Sequence, residues 1–304
     1  MITVVGEALI DIIVDPSGNV TSVVGGAPLN TARTVARLGV DASFLGGVSK
    51  DAFGARIMRL LEADGVGFAL GEQVDEPTTL AIAQIDEHGA ATYRFMMEGT
   101  SAAAVSPQAA LAHVGGDCTA LHVGTLGLVL QPLADATRAV VEASPDDRLV
   151  MVDPNCRPSV MTSSTIFEET LAAVLARADV VKVSGDDLAF MYPGVEVLAA
   201  ATGLQRTSGA VVLFTDGAQA VHVITADDDV VLEVPRVRVV DTVGAGDSFS
   251  GGFLAQWTTR GLGRRDIGNR DEVVSAARFG IAVAGITCQR PGADPPHVQE
   301  IEVH

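Results

Sequence analysis

The chain is poor in cations. Among its 304 residues are 38 acids against 20 lysines and arginines, for a formal net charge of −18. Only two of the cations are lysines, Lys50 and Lys182. Such a surface repels nucleic acid and anionic membrane, which excludes both as partners. A polyanionic substrate would need particular local cations. The three cysteines, Cys118, Cys156 and Cys288, are too few and too scattered for a disulfide framework or a zinc motif. Aromatics make up 4% of the chain, which makes a nucleoside ligand, with its need for aromatic stacking surfaces, less attractive. No apolar run reaches the ~18 residues of a membrane helix. The first residues, "MITVVGEALIDIIVD", carry Glu7 and Asp11 and lack a basic flank, unlike a signal peptide. A cytoplasmic location is the expectation.

What is present is a long alternation of strands and helices. "ITVV" and "ALIDIIV" read as strand, "DPSG" (15–18) as a turn and "NVTSVV" as a returning strand. "GGAPLNTARTVARLG" reads as a helix with Pro28 in its first turn and Gly39 at its end. "ASFLGGV" reads as a strand. "DAFGARIMRLLEADG" reads as a helix with Asp51 as N-cap and Gly65 after its end. "TTLAIAQID" and "AATYRFMM", joined by "EHG", form a second hairpin.

Valine- and leucine-rich strands at 120–124, 149–153, 179–184 and 210–215 then alternate with helical patterns at 131–143, 164–178 and 186–203. This implies a mostly parallel α/β sheet covered on both faces. "AVHVIT" and "DVVLEV" make a third hairpin. "VRVVD" reads as a strand leading to residue 241, and a long helix follows at 271–288. No repeat or linker divides the chain, so residues 1–304 are expected to form one domain. The polar early hairpins, about 8–24 and 78–97, are expected to pair into a small lid beside the main sheet.

The densest chemistry lies in "VVDTVGAGDSFSGGF", residues 239–253. Gly244 and Gly246 allow positive φ and close approach of a ligand where a helix begins, and the free amides of a helix start hold anions. Asp247 falls in that first turn. It reads either as an acid favoured by the helix dipole or as a carboxylate beside an anion hole, a pairing that suits phosphoryl transfer. No Lys-Ser/Thr follows the glycines, and their spacing is not that of a dinucleotide fingerprint.

"DTVGAGDSFSGGF" and "GGAPLNTARTVARLG" together resemble the two signatures of the ribokinase-like (PfkB) carbohydrate kinases. "GEALID", "PTTLA", "YRFMMEGTSA", "DPNCRP", "VKVSGDDL", "YPG" and "TCQRPGADPP" resemble segments of the fructokinases within that family. The resemblance implies a ribokinase-like three-layer fold with a small β-sheet lid. It also implies ATP as phosphoryl donor, with Mg2+. Asp247 would be the base for the sugar's primary hydroxyl, and Gly244, Ala245 and Gly246 would shape the anion hole with the amide of Asp247. Asp11, Gly25, Gly26 and Asn30 match positions that hold sugar hydroxyls.

On the nucleotide side the resemblance implies Lys182, Asn155, Arg157, Ser184, Thr215, Gly217 and Gly292 near ATP and its phosphates. Asp187 would act on Mg2+ through water, and Asp241 matches a position that binds K+. Two departures stand out. Ser184 and Asp187 replace the family's Asn-x-x-Glu, and "TDGAQA" keeps Gly217 but has Ala220 where a second glycine is usual.

On their own, Asp11 and Lys182 also read as solvated residues and Asn30 as an exposed helix residue. In the lid segments 8–36 and 76–98 the only cations are Arg33 and Arg94, which argues against a sugar phosphate as acceptor. Arg94 toward the sugar would favour a keto-acid such as 2-keto-3-deoxygluconate; Arg94 toward solvent would favour neutral fructose. A ribokinase-type kinase of another small sugar and a non-catalytic sugar-binding protein remain as alternatives. The bare lid edges suggest a homodimer formed lid to lid.

Overall fold

The computed structural model describes residues 1–87, 91–161 and 164–301. Its strands are β1 (Ile2–Val5), β2 (Leu9–Val14), β3 (Val20–Gly25), β4 (Ala42–Leu45), β5 (Gly67–Phe68), β6 (Leu80–Ile85), β7 (Ala91–Met96), β8 (Ala120–Gly124), β9 (Leu149–Asp153), β10 (Val180–Ser184), β11 (Val211–Asp216), β12 (Ala220–Ile224) and β13 (Asp229–Glu233). Nine of them form one sheet in the order β13-β12-β11-β10-β9-β8-β1-β4-β5. It is parallel from β11 to β5, and the third hairpin adds β12 and β13 antiparallel at one edge.

Both faces of this sheet are buried, which explains its continuous apolar strands. Val5, Val123, Val152 and Val183 face one core, together with Leu133, Phe167 and Leu204 from covering helices. Val4, Met151, Val180 and Leu213 face the other, together with Leu29, Ile57, Phe249, Phe253 and Trp257. This is the three-layer arrangement that the resemblance implied.

The early hairpins make a second sheet, β3-β2-β6-β7. Each hairpin is antiparallel, and the two are joined by the parallel pair β2–β6. The turn expected at "EHG" lies, but for Glu87, outside the described residues.

Two expectations need correction. The helical pattern at 186–203 is two helices, Gly185–Met191 and Val197–Ser208, because Pro193 and Gly194, the latter at φ 81, interrupt the backbone between them. "VRVVD" is not a strand. Pro235, two residues before it, lacks a ladder donor. Val239 and Val240 are more than half exposed, and the Val240 amide donates to the carbonyl of Cys288 at the end of the long helix Arg270–Thr287. Residue 241 is therefore approached by irregular chain.

Candidate active site

The helix Ala245–Thr259 opens the site and rests on the sheet through Phe249, Phe253 and Trp257. Its N-cap is Gly244, at φ 77. A Cβ at Gly244 would stand 2.6 Å from Cβ of Ala293, so both the conformation and the space require glycine. The Ala245 amide turns back to the Thr242 carbonyl at 3.2 Å. Gly246 and Asp247 follow in the first turn, where helix geometry supplies no carbonyl for their amides.

Asp247 is buried, and its Oδ2 accepts from Asn30 Nδ2 at 2.9 Å. Asn30 lies in the first turn of the helix Ala27–Arg37, directly after the Gly25–Gly26 loop. Burial raises the Asp247 pKa; the Asn30 bond, Lys182 and Arg157 oppose that rise. Two distant signatures thus meet at one carboxylate.

Lys182 is the central residue of β10 and is buried. A Cβ at Gly246 would lie 2.8 Å from its Nζ, so the ammonium sits directly against the first turn of the helix. Nζ is also 3.1 Å from Asp153 Oδ2 at the end of β9. Asp153 is itself buried, and desolvation pushes its carboxyl up to about 6 against the pull of Lys182. Its Oδ1 is buried with no partner among the described residues.

Arg157 is near enough for its charge to lower the pKa of Glu7, Asp11 and Asp247. Asn155, at φ 39, holds it by accepting from Nη1 at 2.7 Å. Asp11, on β2, is half-buried; desolvation raises it to about 6, and Gly25 leaves the space its Oδ2 fills.

Arg94 does not join this group. Asp11 is in register with Ala81 and Ala81 with Phe95, so those three share one face of the lid. Arg94 is in register with Ile82 and lies exposed on the other face.

The remaining expected residues occupy the neighbouring strand ends. Ser184 and Asp187 bind each other in a capping box, and Asp187 Oδ1 also accepts from the Cys156 amide at 2.6 Å. They therefore pin the 153–157 loop to the helix Gly185–Met191. Thr215 pairs in register with Ser184, and its hydroxyl donates to the Val183 carbonyl. Gly217 turns the chain at φ 54. Gly292 donates its amide to Asp241 Oδ2 at 2.8 Å, and Asp241 Oδ1 accepts from Val243. Among the described residues no cluster of three or more His, Cys, Asp or Glu side chains could hold a metal ion by itself.

Sequence reasoning passed over Glu7. It is fully buried just beyond the end of β1, its Oε2 accepts from the Leu126 amide at 3.1 Å, and desolvation raises it to about 8. The available signal was an acid following an unbroken apolar strand.

A buried carboxylate beside free helix amides, a buried lysine and a half-buried arginine is an arrangement for moving a phosphoryl group onto an alcohol. A family model described as pfkB family carbohydrate kinase matches residues 1–300. The chain belongs to that family. A fructokinase from Rhizobium leguminosarum bv. trifolii is 33% identical over 278 residues, covering 90% of this chain and 84% of that protein. Among solved structures, a fructokinase from Xylella fastidiosa with bound ATP superposes with a TM-score of 0.89 at 26% identity, covering 99% of this chain and 96% of that one. A fructokinase from Vibrio cholerae O395 in a form with fructose, ADP and calcium bound superposes with a TM-score of 0.79 at 25% identity, covering 96% and 94%. This PfkB kinase therefore shares both fold and length with the fructokinases it resembles.

Proposed function

We propose that this PfkB kinase is a fructokinase, transferring the γ-phosphoryl group of ATP to a primary hydroxyl of fructose. The observation that carries the reading is Asp247, buried, oriented by Asn30, and set in the same helical turn that Lys182 faces. Its second carboxylate oxygen would take the hydroxyl proton as the sugar oxygen attacks. The amides of Gly246 and Asp247 and the Lys182 ammonium would take up negative charge on the transferred group. Asp11 and Asn30, with the backbone at Gly25 and Gly26, would hold the sugar's other hydroxyls.

A neutral acceptor suits the lid because Arg94 is turned from Asp11. Mg2+ brought with ATP would neutralise the β- and γ-phosphates; the free Oδ1 of Asp153 fits one of its waters, as magnesium prefers. Asp187 would serve that water shell through the loop it pins, and Asp241, joining residues 243 and 292, is the residue proposed for K+. Asn155, Arg157, Ser184, Thr215, Gly217 and Gly292 remain the proposed surroundings of ATP.

A homodimer through the lid is part of the same proposal; its strands expose Val20 and Met96 on the Arg94 face and Val23 and Tyr93 on the Asp11 face. So is a cytoplasmic location, which fits three free cysteines. No helix of the described residues is long and apolar enough to cross a membrane. ATP consumption over a panel of sugars tests the reading. Turnover on 2-keto-3-deoxygluconate with none on fructose would overturn the substrate, and no turnover on any sugar would leave only a binding protein. Sedimentation showing monomer alone at assay concentrations would remove the dimer.

A further inference from the structure

The helix Ala52–Asp64 is bonded to the lid at one end and, at the other, through Asp64 to two arginines that bond the loop beside the anion hole. At the lid end its N-cap, Asp51, accepts from the Thr78 amide at 2.9 Å and hydroxyl at 2.6 Å, two residues before β6. One turn on, Arg56 donates to Ser22 of β3, to Oγ at 2.6 Å and to the carbonyl at 2.9 Å. Both lid hairpins are thus tied to this helix.

Asp64, its last residue, is buried and shared by two arginines. Arg33 Nε donates to Oδ2 at 2.6 Å and Arg37 Nε to Oδ1 at 2.7 Å. Each arginine spends further donors on the 293–295 loop: Arg33 on the Ala293 carbonyl at 3.0 Å, Arg37 on Asp294 and the Pro295 carbonyl, both at 2.6 Å. Ala293 is the residue pressed against Gly244, and its neighbour Gly292 is bonded to Asp241. Arg33 also lies one turn after Asn30, which orients Asp247. A carboxylate shared by the buried Arg33 and the partly buried Arg37 leaves little slack, since losing it would strand the Arg33 charge, whereas Arg37 keeps Asp294.

We propose that Asp64 is a positioning residue for the anion hole, and that the helix Ala52–Asp64 carries the position of the lid to Gly244. The consequence for catalysis rests on the kinase reading above; the mechanical link does not. With sugar under the lid, the helix would be held and the 291–295 loop would set Gly244, so a nucleotide would meet a formed anion site. In free energies this is a coupling between two ligands, of the size of about fivefold or more in affinity.

Hydrogen exchange in the ligand-free protein tests the link. Arg56→Met cuts the lid end and is expected to speed exchange of amides 241–247 and 291–294 by about tenfold, although residue 56 touches neither segment. Asp64→Asn cuts the other end and should do the same, and the double variant should exchange no faster there than Asp64→Asn alone. Changes in Arg56→Met confined to 20–25 and 52–60 would overturn the proposal, as would additive effects in the double variant. Should Asp64→Asn not fold, Arg37→Lys, which keeps the charge but loses one of the guanidinium's bonds, replaces it with the same expectation. Nucleotide affinity with and without fructose supplies the second readout. The tightening by sugar should fall toward onefold in both single variants, with sugar affinity in the absence of nucleotide unchanged; undiminished tightening counts against the proposal. If the parent protein turns over no sugar, the kinase reading fails, and the exchange result still decides the link.

Discussion

Replacing Glu7 by glutamine should stabilise the protein, and by more as the pH rises. A glutamate in the unfolded chain ionises near 4.5, whereas buried Glu7 keeps its proton to about 8. Below pH 4.5 both states are protonated and the position costs nothing. From 4.5 to 8 the unfolded chain gives up a proton that the folded chain retains, so stability is lost as the pH climbs. At about 1.4 kcal/mol per pH unit, the ceiling on that loss is about 5 kcal/mol at pH 8. E7Q has no proton to hold and keeps an oxygen to accept from the Leu126 amide. Asp11 and Asp153, each raised to about 6, impose a loss of the same sign, but it is common to both proteins and cancels in the comparison. Urea unfolding at pH 5, 6.5 and 8 reads the difference. The midpoints should nearly coincide at pH 5 and separate progressively in favour of E7Q, with equal m-values. A constant offset, or an E7Q protein weaker than the parent at pH 8, would refute the assignment of a neutral carboxyl at this position.

Asp247→Asn should lower kcat by about 10²–10⁴-fold, the usual contribution of a general base, while calorimetry still detects sugar and ATP. In the parent, kcat should fall on the acid side around a pKa above the ordinary 3.8 of aspartate, because burial raises that group. Arg94→Ala should leave KM for fructose within about twofold, since the exposed side chain lies on the face opposite Asp11 and surface changes are mostly near neutral. Gly244→Ala must adopt φ 77 and meets Cβ of Ala293 at 2.6 Å. It should cost about 1–3 kcal/mol of stability and reduce kcat more than fructose affinity, as thermal unfolding and initial rates will show.

The sheet was legible because its strands are buried on both faces and read as unbroken valine and leucine. The lid hairpins were legible because they alternate with polar residues between turn signals. Two failures had a common origin. "VRVVD" has the β-branched composition of a strand, but composition does not say whether a partner strand exists; here the valines face solvent and the Val240 amide bonds to a helix end. In 186–203 the apolar spacing outran the break at Pro193 and Gly194, which should have taken precedence. Arg94 was undecidable without register, since a shift of one residue moves a strand side chain to the other face.

The site shows a different limit. Motif and spacing located Asp247 and Asn30, but nothing in the sequence shows that the two are 2.9 Å apart across 217 positions. The same holds for charge. A net of −18 implied that an anionic substrate needs local cations, and one of only two lysines is buried at the site rather than spread over the surface. A buried ion pair such as Lys182–Asp153 is weak support for stability, because desolvation consumes most of its attraction. Its presence in a chain with only two lysines is one ground for the phosphate role proposed for Lys182. Ser184 and Asp187 point the same way from the opposite side. The shorter carboxylate, in place of the family's glutamate, is spent on its own helix cap and on the Cys156 amide, so what it does in this structure is hold the loop carrying Asp153 and Arg157.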